Sequence, residues 1–215
     1  ASAAKGVFLE PPADGDVVLV LGAGSIGLLM VRALRRTGWT GTIAVSARYG
    51  FQARKAEDLG ADTVLRGRDQ LYEWAASLPG AAAFEPSMAP KFVEGGPSLV
   101  YDSVGSAGTV RDALAVTREE GRIVVTGAAA VSKLDLTRLW HRQLRMTGVM
   151  VYGPVEHEGR TRDIFDATLD LIRADDLGRF SLLTHTFELE EYRDAIRVAL
   201  GKDAHGAIKV GFRVR

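Results

Sequence analysis

One stretch of glycines constrains this chain more than anything else in it. Gly22-Ala23-Gly24-Ser25-Ile26-Gly27 follows directly on Val17-Val18-Leu19-Val20-Leu21, an apolar run without alternation. Such a run suits a strand buried on both faces of a parallel sheet. Beyond the glycines, Ile26, Leu29, Met30, Ala33 and Leu34 recur at helical spacing, with Arg32, Arg35 and Arg36 outside, until Gly38 offers a left-handed cap. The pattern Gly22-x-Gly24-x-x-Gly27 carries meaning only in this setting. Gly22 allows a tight strand-to-helix turn, Gly24 lets a diphosphate approach the backbone, and Gly27 lets helix and strand pack closely. Free N–H groups at the helix start, together with the helix dipole, then favour negative charge. The plain alternative is a glycine-rich turn without a ligand. Ser25 lacks the G-x-S-x-G spacing of a nucleophile elbow, and the Lys of a phosphate-binding P-loop is missing.

Strand-like and helix-like segments alternate over the next hundred residues and more. Thr42–Ser46 and Thr63–Leu65 read as strands, separated by a helix over about 50–59 that Gly60 closes. Residues 69–78 read as helical, and 79–97, rich in Pro, Gly and Ala, as a long irregular excursion. Ser98–Asp102 and Gly121–Gly127 read as further strands flanking a helix over about 107–117, and Leu144–Met150 as a sixth strand at a sheet edge. Parallel neighbours need crossovers, so this order implies a doubly wound α/β sheet. The last third departs from the pattern, with an amphipathic helix over Thr161–Ala174, a strand over Leu182–Phe187, a helix over Glu190–Leu200 and a strand over Ala207–Phe212. It reads as a return segment that pairs with something else.

The choice between dinucleotides falls about 20 residues beyond the glycines, at the end of the second strand. A carboxylate there would bind the adenosine ribose hydroxyls and repel a 2′-phosphate. Ser46-Ala47-Arg48-Tyr49 stands there instead, and no Asp or Glu occurs between Gly27 and Glu57. Arg48 is placed to pair with a phosphate, and Ser46 to offer a hydroxyl. This favours NADP over NAD; a solvated surface arginine is the alternative reading of Arg48.

Composition removes other classes. Lys+Arg and Asp+Glu both number 27, so no basic excess points to nucleic acid. The chain has no cysteine, which excludes thiolate zinc sites, disulfides and cysteine nucleophiles within it. No apolar run is long enough for a membrane span. Ala1-Ser2-Ala3-Ala4-Lys5 shows neither a signal segment nor an initiating Met, so a cytoplasmic protein beginning mid-sequence is expected. Asp102 reads as a turn anchor, and Ser103, Ser106 and Thr109 as helix caps. Histidines 141, 157, 185 and 205 are scattered and read as structural, and the charges around Glu156, Glu158 and 160–163 as a solvated face.

Several of these segments together resemble one family. Val17–Gly27, Leu59-Gly60-Ala61-Asp62, Tyr101-Asp102-Ser103-Val104-Gly105, Gly121-Arg122-Ile123-Val124 with Gly127, and Leu144–Gly148 occur in the order of the medium-chain dehydrogenases/reductases. Leu139-Trp140-His141-Arg142-Gln143-Leu144 and the stretch from Thr184-His185-Thr186-Phe187 to Lys209-Val210 are similar to zinc-binding, alcohol-dehydrogenase-like members. The resemblance implies a six-stranded parallel Rossmann sheet over 15–153. It implies a connecting helix and linker over 1–14, and a return segment over 154–215 that belongs to a GroES-like catalytic domain not contained in this chain. That domain would carry the zinc ligands, so neither catalytic nor metal residues are expected here. The expected cofactor contacts are Gly22, Gly24, Ser25, Ile26 and Gly27, with Ser46 and Arg48 at the adenosine end. Val104, Gly105, Thr126, Gly127 and Val149 are expected near the nicotinamide. Further implications are hydride transfer between an alcohol or carbonyl substrate and NADP or NAD, and a homodimer or homotetramer formed through strand 144–151. Two rival readings stay open: a zinc-free reductase acting on quinones or enoyl thioesters, and a non-catalytic NADP-sensing module.

Overall fold

The computed structural model describes residues 1–157, 159–173 and 181–214. A helix α1 (Ser2–Leu9) precedes strand β1 (Val18–Leu21), helix α2 (Ser25–Arg36), strand β2 (Ile43–Ser46), helix α3 (Gly50–Asp58), strand β3 (Thr63–Leu65) and helix α4 (Arg68–Ala76). Two short strands, β4 (Ala82–Phe84) and β5 (Phe92–Glu94), lead to β6 (Leu99–Asp102), α5 (Ala107–Val116), β7 (Arg122–Val125), α6 (Thr137–His141) and β8 (Arg145–Gly148). Six strands form one all-parallel sheet in the order β3-β2-β1-β6-β7-β8. This is the doubly wound arrangement expected from the alternation, and the six-stranded Rossmann sheet that the resemblance implied.

The two-residue period of β1 divides the core. Val18 and Val20 face α1, α2 and α3, packing with Val7, Leu28, Val31, Leu34, Ile43 and Val45. Leu19 and Leu21 face the other layer, with Leu71, Ala75, Val100, Leu114 and Ile123. Both sides of the strand are therefore sealed, which explains its unbroken apolar sequence. The chain runs from β1 outward to β2 and β3, then returns to β1's other flank with β6. Such a reversal opens a crevice at the carboxyl ends of the strands.

The preceding helix is tied into this sheet. Val7 and Ala3 join the main core, and the Tyr101 hydroxyl donates to the Glu10 carbonyl at 2.6 Å. Arg122 donates to the Pro11 carbonyl at 2.9 Å and pairs with Glu10 at 3.4 Å and with the buried Asp16.

Several local expectations need correction. Residues 79–97 are not irregular throughout: β4 and β5 pair antiparallel, and Phe84 stacks on Phe92 across them at 5.1 Å. The helix expected from Thr161 starts later. Pro154–His157 (β9) and Arg160–Asp163 (β10) form a hairpin, and α7 (Ile164–Arg173) begins where the Asp163 carboxylate accepts the Phe165 N–H at 2.8 Å. The expected helix end at Ala174 and the expected surface charge Glu158 lie outside the described residues. The short α6 carried no helical periodicity in the sequence. In the final part, β11 (Leu183–Glu188) pairs in parallel with β12 (Lys209–Arg213), with α8 (Tyr192–Leu200) and α9 (Lys202–His205) between them in the chain.

Candidate dinucleotide-binding site

Every strand of the sheet points its carboxyl end at the same rim, and β1 delivers the glycine turn there. Gly22 adopts a φ of +95°, a region open to glycine and strained for other residues. A Cβ on Gly27 would lie 1.9 Å from the Gly22 carbonyl oxygen, so only a glycine lets the first turn of α2 settle onto the end of β1. Gly24 behaves differently. Nothing lies within 4 Å of where its Cβ would stand. As the N-cap of α2 it also supplies no side-chain bond to the helix start. The leading amides of the helix have no intrahelical acceptor. Backbone donors and the positive end of a twelve-residue helix thus meet unfilled space, a cradle that suits a diphosphate.

That space is a cleft of about 610 Å³. Gly22, Gly24, Ser25, Ile26, Ser46, Arg48 and Val104 line it together. Gly27 stands behind the turn and acts through packing. Arg48 is exposed at the carboxyl end of β2, with its guanidinium 5.4 Å from the Tyr49 ring, which in turn stacks on Phe51 at 5.5 Å.

Gly105, Thr126, Gly127 and Val149 do not line the cleft; they continue the same rim past β6, β7 and β8. The buried Asp102 organises this part. One of its oxygens accepts the N–H groups of Val104 at 2.9 Å and Gly105 at 3.0 Å, and the other accepts the Thr109 hydroxyl at 2.8 Å. Thr126 and Gly127 donate their N–H groups to the Asp102 carbonyl, at 2.9 and 3.0 Å. The Val149 N–H donates to the Val125 carbonyl at 2.9 Å. Asp102 is accordingly the turn anchor its position suggested. Ser106 caps α5 by accepting the Thr109 N–H at 3.2 Å. Ser103 does something else: its hydroxyl lies 2.9 Å from the Leu21 carbonyl and 3.2 Å from that of Gly22, lacing the two loops together.

Four polar residues of the cleft escaped the sequence reading: Gln52, Arg68, Asp112 and Lys202. Asp112 accepts from Arg68 Nε at 2.7 Å and from the Tyr72 hydroxyl at 3.0 Å. Burial pulls the Arg68 guanidinium down, but its contacts with Tyr72 and Asp112 outweigh this and leave it raised. Burial, reinforced by the Asp112 charge, pushes the Tyr72 phenol up to about 12. Arg68 had a usable signal, since it opens the helix after β3 and so lies at a strand's carboxyl end. Lys202 had none, because only the fold brings α9 to the glycine turn.

The sequence matches the model of the zinc-binding dehydrogenases over residues 25–172, well over half of the chain. The chain belongs to that family. It is 27% identical over 200 residues to L-idonate 5-dehydrogenase of Vitis vinifera, covering 92% of this chain and 49% of that protein. The chain spans about half the length of the curated relatives it matches. Among the solved structures that share its fold are two with a nicotinamide cofactor bound. A short chain alcohol dehydrogenase of Escherichia coli CFT073 complexed with NADH is 23% identical, with a TM-score of 0.72, covering 97% of this chain and 55% of that one. A zinc-binding dehydrogenase of Sinorhizobium meliloti 1021 bound to NADP is 24% identical, with a TM-score of 0.69 and the same coverage.

The family name implies zinc, and the described residues do not fit it. The chain contains no cysteine, and among the described residues no group of three or more His, Asp or Glu stands where it could hold a metal ion. No helix among them is long and apolar enough to cross a membrane.

Proposed function

We propose that this chain is the dinucleotide-binding part of an oxidoreductase that moves hydride between an alcohol or carbonyl substrate and NADP. One observation carries the reading: the glycine turn leaves open space at Gly24, at the positive end of α2, inside a cleft whose adenosine end holds Arg48 where a carboxylate would select NAD. A bound nicotinamide would supply the carbon that takes up or releases hydride. The chain's own part is binding and orientation. The amides of Ser25 and Ile26 hold the diphosphate, Ser46 and Arg48 hold the ribose and its 2′-phosphate, and the rim from Val104 and Gly105 through Thr126, Gly127 and Val149 positions the nicotinamide. The solved relatives with NADH and with NADP support a nicotinamide ligand without choosing between the two.

On this reading residues 15–153 form the cofactor domain, 1–14 lead into it, and 154–215 belong with a further domain that carries the zinc ligands and the substrate pocket. Strand β8 ends the sheet with an exposed edge, which suits pairing with a second copy of the chain. Calorimetric titration with NADPH and NADH tests the assignment. Arg48→Asp should weaken NADPH by tenfold or more and leave NADH as tight or tighter, since a charge-assisted phosphate contact is replaced by repulsion while the new carboxylate can accept from the ribose hydroxyls. Equal affinities for the two, unmoved by the substitution, would sink the NADP reading.

A further inference from the structure

The hydrogen bonds of Asp112 all end on one side of its carboxylate. Arg68 Nε donates to Oδ1 at 2.7 Å, and the Tyr72 hydroxyl donates to the same oxygen at 3.0 Å. Arg68 also donates to the Tyr72 hydroxyl at 3.1 Å, with its guanidinium 5.2 Å from the Tyr72 ring. Three side chains from α4 and α5 therefore hold one another in place. Oδ2 accepts nothing among the described residues. The Asp112 side chain is only 17% exposed, and the residue lines the cleft with Arg68, Leu71 and Val104. A fixed, mostly buried carboxylate thus keeps one open acceptor beside the cleft.

On the proposed reading the diphosphate sits at Gly24 and the ribose at Ser46 and Arg48. The base then falls where the chain leaves β2 and β3, and Gly67, Arg68 and Leu71 line that part of the cleft. Asp112 meets the same part from α5, through its bond with Arg68. We infer that Asp112 is a specificity-determining residue for the base, its Oδ2 accepting the exocyclic amino group of adenine. The inference rests on the dinucleotide reading and adds base selection to it. An ionised carboxylate only accepts, so it pairs with an amino group and repels a carbonyl oxygen. Hypoxanthine carries a carbonyl oxygen where adenine carries that amino group. Asp112 cannot swing aside to relieve the repulsion, because Arg68 and Tyr72 hold its other oxygen. Gln52 lines the cleft too, but an amide has both a donor and an acceptor and can turn either to a base.

The probes are NADP and its hypoxanthine counterpart, nicotinamide hypoxanthine dinucleotide phosphate, titrated calorimetrically into the wild type, Asp112→Asn and Asp112→Ala. The wild type should bind the adenine form about tenfold more tightly. Asp112→Asn keeps an oxygen for Arg68 and Tyr72 and puts an NH2 donor where Oδ2 stood, so the preference should reverse. Asp112→Ala removes the acceptor without adding a donor, and should bring the two affinities within about twofold of each other. A residue that only shaped the cleft would weaken both ligands alike when replaced. A wild-type ratio in either variant therefore overturns the inference. Equal affinities in the wild type, or a preference there for hypoxanthine, overturn it as well, and that comparison needs no variant to fold. In each of these cases both ligands still bind, so the glycine-turn reading stands. If the wild type binds neither, the dinucleotide reading falls and the inference falls with it.

Discussion

The sheet and the segment that follows it bury their side chains to very different extents. All four residues of β1 and of β6 are buried, and so are three of four in β2. In β11 and β12 none is, while α7 buries only Ile164 and Ala167, and α8 only Ala195. The later segment is not short of apolar residues. Phe165, Leu169 and Ile172 stand exposed along α7, and Tyr192, Ile196 and Leu200 along α8, at the spacing of one helix face. The sheet thus completes its own core, whereas the later helices carry the stripe of a core without its other half. Stripes of that kind mark contact surfaces.

The largest expected effect lies in the sheet half. Leu28→Ala, next to Gly27 and fully buried, should cost about 2–5 kcal/mol in urea unfolding, since the close packing of α2 on β1 leaves little room to collapse. Loss of stability below about 1 kcal/mol would mean that the core there is looser than the contacts imply. Tyr72→Phe should cost about 1 kcal/mol at neutral pH by removing the hydroxyl shared with Asp112 and Arg68. The same residue predicts a pH dependence. A phenol raised to about 12 on folding holds its proton more tightly than in the unfolded chain. Its contribution is complete below a pH of about 10, the ordinary tyrosine value, and fades as the pH rises towards 12. Urea midpoints measured from pH 8 to 11 should fall less steeply in Tyr72→Phe than in the wild type. The smallest effect belongs to the later segment. Leu169→Ser should change stability by no more than about 0.5 kcal/mol while raising solubility, because its side chain already meets solvent. A loss comparable to that of Leu28→Ala would erase the contrast between the two halves.

The same contrast governs what could be read in advance. Strands sealed on both faces leave continuous apolar runs, and helices sealed on one face leave a clear period, so the sheet and its glycine turn were legible. The hairpin of β4 and β5 was not. Ala82 and Ala83 have no strand preference, and the pairing depends on Phe92, whose ring also lies 3.7 Å below the Arg138 guanidinium from a distant helix. The start of α7 is hard to read because Arg160–Asp163 fits a helix as easily as a strand, and only the capping carboxylate of Asp163 marks the boundary. In the candidate site the local half was visible, from Gly22 to Gly27 and at Ser46 and Arg48. Lys202 reaches it only through long-range contact, which no window of sequence contains.

Asp102 has one more consequence. Its carboxylate takes up both amide hydrogens that the main chain offers at Val104 and Gly105, and an acceptor-only group can do nothing for the neighbouring carbonyl oxygens. With both donors satisfied from within, the turn after β6 is held in one shape by a carboxylate that meets no solvent.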